Sequence, residues 1–111
     1  MDIQITNVDD VTVIAIEGEL DGQTAPAAQN EILPLAEPGC KFLVDMSKVP
    51  YMSSAGLRMM LLIYRKVSAS EGRSVLVGLS EEIQDTMEVT GFLDYFETYE
   101  TYDDGLSALS G

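Results

Sequence analysis

The sequence contains no histidine and no tryptophan, and only one cysteine. Without histidine, Ser-His-Asp and Cys-His catalysis are excluded, as is any metal site built on imidazole. Cys40 alone can neither close a disulfide within the chain nor hold zinc. At a turn-to-strand junction it reads as a small buried hydrophobe, and its isolation points to a reducing compartment. Long apolar runs are missing too. The most apolar stretch, Met59 to Tyr64, is six residues long, whereas a membrane helix needs about 20. The opening Met1-Asp2-Ile3-Gln4 has no basic or apolar region, so no leader is expected. No phosphate-cradling P-loop occurs, and Asp9-Asp10 and Asp103-Asp104 lack the spaced oxygen ligands of a calcium loop. The expectation is therefore a soluble, cytoplasmic protein that is not an enzyme, with no catalytic residue, no metal and no cofactor.

Bases are scarce. Six stand against 19 acids, for a net charge of −13. All six lie between Lys41 and Arg73, while residues 1–40 hold eight acids and residues 74–111 hold nine, with no base in either segment. Such a chain is repelled by nucleic acid and by anionic lipid, so neither is an expected partner and no membrane insertion is expected. A protein with a basic surface is the natural counterpart, unless the acids serve solubility alone. The 111 residues, 46% of them hydrophobic, suffice for one core and one domain spanning 1–111. On its own the chain is expected to be a monomer.

Hydrophobic periodicity orders the elements as β-β-α-β-α-β-α-β-α. Ile3 and Ile5 alternate with polar neighbours, as in a half-buried edge strand, and Asn7 to Asp10 turns into the β-branched run Val11 to Ile16. A helix is expected from about Thr24 to Glu37, bent or shortened by Pro34. Lys41 to Asp45 is a short buried strand. Ser53 or Ser54 opens a helix that Gly72 stops after Glu71. Ser74 to Leu79 is a strand, and Ser80 caps a helix ending near Thr90-Gly91. Phe92 to Tyr99 is a last strand and Asp103 to Leu109 a short helix. The class is α/β, with a mixed sheet of four to five strands and about four helices.

One segment carries the candidate chemistry: Val44-Asp45-Met46-Ser47-Lys48-Val49-Pro50-Tyr51-Met52-Ser53-Ser54-Ala55-Gly56-Leu57. A buried strand runs into a polar loop, and two serines then open a helix. The plain role of such serines is capping. Gly56 in the first turn costs helix stability and suggests that something approaches the backbone closely. A helix N-terminus also favours an anion, so a phosphate on Ser54 would be tolerated. Arg58, four residues on, could reach it, or could be an ordinary solvated charge. Met52, Leu57, Met59 and Met60 border either an interaction surface or the core.

These residues resemble the STAS family, the anti-sigma factor antagonists. The strand end Val44-Asp45-Met46-Ser47, the motif Met52-Ser53-Ser54-Ala55-Gly56-Leu57 and the stretch Gly18-Glu19-Leu20-Asp21 with Thr24-Ala25 carry the likeness. The tail from Phe96 to Tyr99 and Asp103 to Leu109 extends it over essentially the whole chain. The resemblance implies a phosphorylatable serine two residues before the glycine, which is Ser54, with Ser53 as the lesser acceptor. The family's acidic residue before that serine is Ser53 here, and the following serine is Ala55. Implied partner contacts are Asp21, Thr24, Met52, Ser53, Gly56, Leu57 and Arg58. Asp21 and Thr24 are expected at the same end of the sheet, where a turn residue and a helix cap are their plainer roles. The implied partners are an anti-sigma factor, itself a serine kinase of the histidine-kinase-like ATPase type, and a serine phosphatase. Two other readings stay open: a non-catalytic STAS subunit of a membrane-associated transport complex, and a nucleotide-binding regulatory module.

Overall fold

Alternation within one strand explains the layers. In Val11–Glu17 (β2), Val11 and Val13 point to one side and Ile14 and Ile16 to the other, and all four are buried. A strand apolar on both faces needs cover on both. In the computed structural model, which describes residues 1–110, that cover is helical on both sides. Asp2–Val8 (β1) pairs antiparallel with β2 across a tight turn, Val8 opposite Val11. The chain then runs through Ala25–Ile32 (α1), Lys41–Lys48 (β3), Ser54–Ala69 (α2), Arg73–Val77 (β4), Glu81–Val89 (α3), Glu97–Tyr99 (β5) and Tyr102–Ser110 (α4). The five strands lie in sequence order, with β2 to β5 parallel.

Ala25, Ala28 and Ile32 of α1 pack with the α2 residues Leu57, Met60, Ile63 and Val67 and the α3 residues Ile83 and Met87. Their shared floor is Ile14, Ile16, Phe42, Val44 and Leu76. The opposite face is smaller, with Leu109 of α4 set against Val13, Leu43, Val75 and Val77. Gly105 lets α4 lie flat there, because a Cβ at that position would collide with Val77 Cγ1. Since each helix α1 to α4 follows a parallel strand, all four begin at the same end of the sheet.

Several boundaries differ from those read in the sequence. The helix expected to reach Glu37 ends at Ile32 and continues as one 3-10 turn, Leu33–Leu35, because Pro34 has no N–H to extend the ladder. β3 runs on past Asp45 to Lys48, where Lys48 pairs with Glu17 of β2 while the pairing with β4 stops at Asp45. β4 starts at Arg73 and stops at Val77, where Gly78 turns the chain with a left-handed φ of 71°. The expected strand from Phe92 is a 3-10 turn over Phe92–Tyr95, leaving only Glu97–Tyr99 extended. Its aromatic residues serve packing instead: Tyr95 and Phe96 meet Tyr64 of α2 at ring-centroid distances of 5.9 and 5.5 Å. Cys40 is half-buried rather than buried, and desolvation raises its thiol pKa. Among the described residues no helix is long and apolar enough to cross a membrane.

Candidate functional site

The loops that follow β2 and β3 are stitched together. Leu20 N–H donates to the Tyr51 carbonyl at 3.0 Å, and Ser53 N–H donates to the Leu20 carbonyl at 2.8 Å. Leu20 and Met52 thus form an isolated parallel bridge beyond the ends of the strands. Their side chains, 0% and 6% exposed, anchor both loops in the core. This stitch ties the residue before Asp21 to the N-cap of α2.

It also explains Gly56. A Cβ there would lie 2.8 Å from the Leu20 carbonyl oxygen and 2.7 Å from Met52 Cγ. The group that closely approaches this backbone is the chain's own neighbouring loop, not a partner. The expectation that Met52, Gly56 and Leu57 offer contacts to a partner is corrected in the same way. Met52 and Leu57 are 6% and 4% exposed, because their apolar side chains pack beneath the loops. Met59 and Met60 are core as well. These residues support the site from below.

Ser53 and Ser54 have different tasks. Ser53 is the N-cap of α2, with extended backbone, and its Oγ accepts from Gly56 N–H at 3.4 Å. Ser54 is the first helical residue, exposed, and among the described residues its hydroxyl has no hydrogen-bond partner. Arg58 is exposed one turn further and has no ion partner among the described residues.

Asp21 and Thr24 form a tight polar loop. Asp21 Oδ1 accepts from Gln23 N–H at 2.9 Å and Thr24 N–H at 3.1 Å. These backbone donors hold its carboxyl below the ordinary carboxylate pKa. Thr24 does not cap α1 with its side chain, correcting that expectation. Its Oγ1 turns back, donating to the Glu19 carbonyl at 2.7 Å and accepting from Asp21 N–H at 3.0 Å. Sequence reasoning did not single out Leu20 and Tyr51 as organisers of the site. Leu20 was legible as the one large apolar residue inside a turn-forming stretch. Tyr51, 48% exposed, is an aromatic ring beside the serines.

Charge at the four helix starts is uneven. Glu81 and Glu82 occupy the first turn of α3, and Asp103 and Asp104 that of α4. The first turn of α1 holds no acid, although Asp21 stands four residues ahead of it. The first turn of α2 has no acid, and it is there that Ser54 lies. Among the described residues no group of three or more Cys, Asp or Glu side chains is placed to hold a metal ion.

The family model of the STAS domain matches residues 2–105. The chain belongs to the STAS domain family. Its curated relatives include the anti-sigma-B factor antagonist of Bacillus subtilis, 32% identical over 91 residues that cover 82% of this chain and 83% of the relative. The anti-sigma-B factor antagonist of Staphylococcus aureus is 26% identical over 101 residues, covering 90% of this chain and 94% of the relative. Among solved structures, an anti-sigma factor antagonist from Mycobacterium paratuberculosis superposes with a TM-score of 0.87 at 27% identity, covering 99% of this chain and 94% of that one. This STAS domain therefore presents an acid-free, serine-bearing helix end, braced by a second polar loop, at the end of its sheet where the parallel strands finish.

Proposed function

We propose that this STAS domain is an anti-sigma factor antagonist, a non-catalytic cytoplasmic binding module whose affinity is set by phosphorylation of Ser54. Unmodified, it sequesters an anti-sigma factor that is itself a serine kinase of the histidine-kinase-like ATPase type, and so frees a sigma factor. Phosphorylation by that kinase ends binding, and a serine phosphatase restores it. The names of the two curated relatives support the partner class. The observation that carries the mechanism is the exposed Ser54 hydroxyl, without a hydrogen-bond partner among the described residues, in a first helical turn that holds no carboxylate. A phosphate adds about −1.5 to −2 charges and finds free N–H groups and a favourable dipole there. Because Ser53 supplies the cap, modification of Ser54 leaves the helix start intact. Asp21, Ser53 and Arg58 flank the acceptor and complete the contact surface, with Thr24 fixing the Asp21 loop.

The test is treatment with the cognate kinase and ATP, mass spectrometry to locate the phosphate, and calorimetry of the partner with wild type, Ser54→Ala and Ser54→Asp. Ser54→Ala is expected to bind and to resist the kinase, whereas Ser54→Asp is expected to stay folded and bind weakly. Phosphate on Ser53 alone would remove Ser54 from the mechanism. So would equal affinity for wild type and Ser54→Asp, which favours the transport-complex reading.

A further inference from the structure

The outer surface of the helical layer carries two stripes of opposite charge. Of the six bases, Lys41 pairs with Asp10 and Arg73 with Glu97. Among the described residues the other four have no ion partner, and three of them, Arg58, Arg65 and Lys66, are exposed on α2. The buried residues of α2 (Leu57, Met60, Ile63 and Val67 among them) define its inner side. At helical spacing Arg58, Leu62 and Arg65 then run along the opposite, outward side. α3 mirrors this with the other sign. Ile83 and Met87 point inward, and Glu81, Asp85, Glu88 and Val89 are exposed.

Each stripe also exposes an aliphatic side chain that the fold does not use. Leu62 is 45% exposed and Val89 is 88% exposed. The stripes are spaced alike from their helix starts. Arg58 is the fifth residue of α2 and Asp85 the fifth of α3, and Leu62 and Val89 are each the ninth. Both helices run in the same direction, since each follows a parallel strand and leads to the next.

We propose that this layer is a self-complementary interface, through which two copies of the chain form a two-fold dimer with α2 of each copy on α3 of the other. A two-fold axis lying between the helices and parallel to them superimposes the two stripes in matching register. Arg58 then faces Asp85 of the second copy, Leu62 packs on Val89, and Arg65, beyond the end of α3 in this register, reaches back one turn to Glu88, with the same contacts repeated across the axis. Charge complementarity selects a second copy as the occupant, because the acidic stripe that fits α2 is carried by the chain itself. The net charge of −13 on each copy opposes association. The contact is accordingly weak, and the monomer expected from the sequence holds in dilute solution.

Sedimentation velocity on the full chain, from the micromolar to the millimolar range, tests this. The weight-average sedimentation coefficient of wild type should rise with concentration from monomer to dimer and no further. Arg58→Glu/Arg65→Glu and Asp85→Lys/Glu88→Lys should each stay monomeric, with unchanged circular dichroism because all four sites are exposed. An equimolar mixture of the two variants should recover the dimer, because the reversed stripes fit each other and the remaining native stripes still match. Three results would overturn the proposal: wild type that stays monomeric throughout, variants that associate like wild type, or species larger than a dimer. A mixture that stays monomeric while both variants are folded would overturn it as well.

Discussion

α2 and α3 begin in the same way and at the same end of the sheet, yet they present opposite surfaces. Each has a serine N-cap in extended backbone whose Oγ accepts the N–H of the third helical residue, Ser53 from Gly56 and Ser80 from Ile83. In α3 the next two residues are Glu81 and Glu82, so its dipole is already met by anions. In α2 they are Ser54 and Ala55, and the helix end is left without charge. The third residue differs as well. Ile83 fills the core, whereas Gly56 makes room for a neighbouring loop. An uncharged helix start pressed against a second loop can respond to an added phosphate, while one already holding two carboxylates gains little from a third anion.

The largest effect expected from this difference is on partner affinity. A charge left unpaired at an interface costs about 2–5 kcal/mol, a loss of tens- to thousands-fold. Ser54→Asp should approach that loss, while Glu81→Gln, at the equivalent first position of α3, should change binding little. Calorimetry with one partner preparation compares them directly. Equal losses at both sites would mean that the end of the sheet responds to charge in general and that Ser54 is not special.

The next effect is on stability and has opposite causes in the two helices. Ile83→Ala empties a buried position and should cost about 2–5 kcal/mol. Gly56→Ala adds one methyl group. Alanine gains about 1 kcal/mol of helix propensity over glycine, but overpacking costs about 1–3 kcal/mol. Of the groups such a methyl would meet, the Met52 side chain can shift, but Leu20 O is a backbone carbonyl already held by Ser53 N–H and cannot swing away. The collision should win, with a lower urea midpoint. A Gly56→Ala protein as stable as wild type would show that the two loops slide apart freely.

Much of this was legible in the sequence. The element order, the strand assignments of β1 to β4 and the serine-led helix follow from periodicity and capping chemistry, which act locally. The contact between Leu20 and Gly56 is 36 positions apart in the numbering, and no local pattern carries it. Gly56 therefore signalled a close approach without saying by what. Met52 and Leu57 were ambiguous for the same reason, since a helix start is core or surface depending on what covers it. Phe92 to Phe96 misled because aromatic residues suit strands, whereas here Phe92–Tyr95 is a turn and Tyr95 and Phe96 pack on Tyr64 of a distant helix.

Cap removal should separate the two helices more finely. The Ser80 bond to Ile83 N–H is 3.1 Å and the Ser53 bond to Gly56 N–H is 3.4 Å. Loss of a serine cap costs typically about 1 kcal/mol. Ser80→Ala should therefore lose about that much and Ser53→Ala less, in paired thermal melts. The reverse order would mean that Ser53 is doing more than its bond length indicates, through the loop contact at Leu20.

The smallest effect concerns the loop that braces α2. Asp21 accepts two backbone N–H bonds, and they hold its carboxyl below its ordinary value of 3.8. A group whose pKa is depressed in the folded state stabilises that state above its unfolded pKa, because the fold favours the charged form; as the pH falls the unfolded chain takes up the proton first and the advantage is lost. That contribution is complete above pH 3.8 and is lost as the pH falls through the lower folded value. Other carboxylates titrate in the same range, so the informative quantity is a difference between proteins. Asn at this position keeps an oxygen for both N–H groups but has no charge to lose. The stability gap between wild type and Asp21→Asn should therefore favour wild type near neutrality and shrink below pH 3.8, with the Gln23 and Thr24 amide shifts following the same curve by NMR. A gap independent of pH would assign the loop's order to Thr24 Oγ1 and the Leu20 stitch, leaving the Asp21 charge free to face a partner.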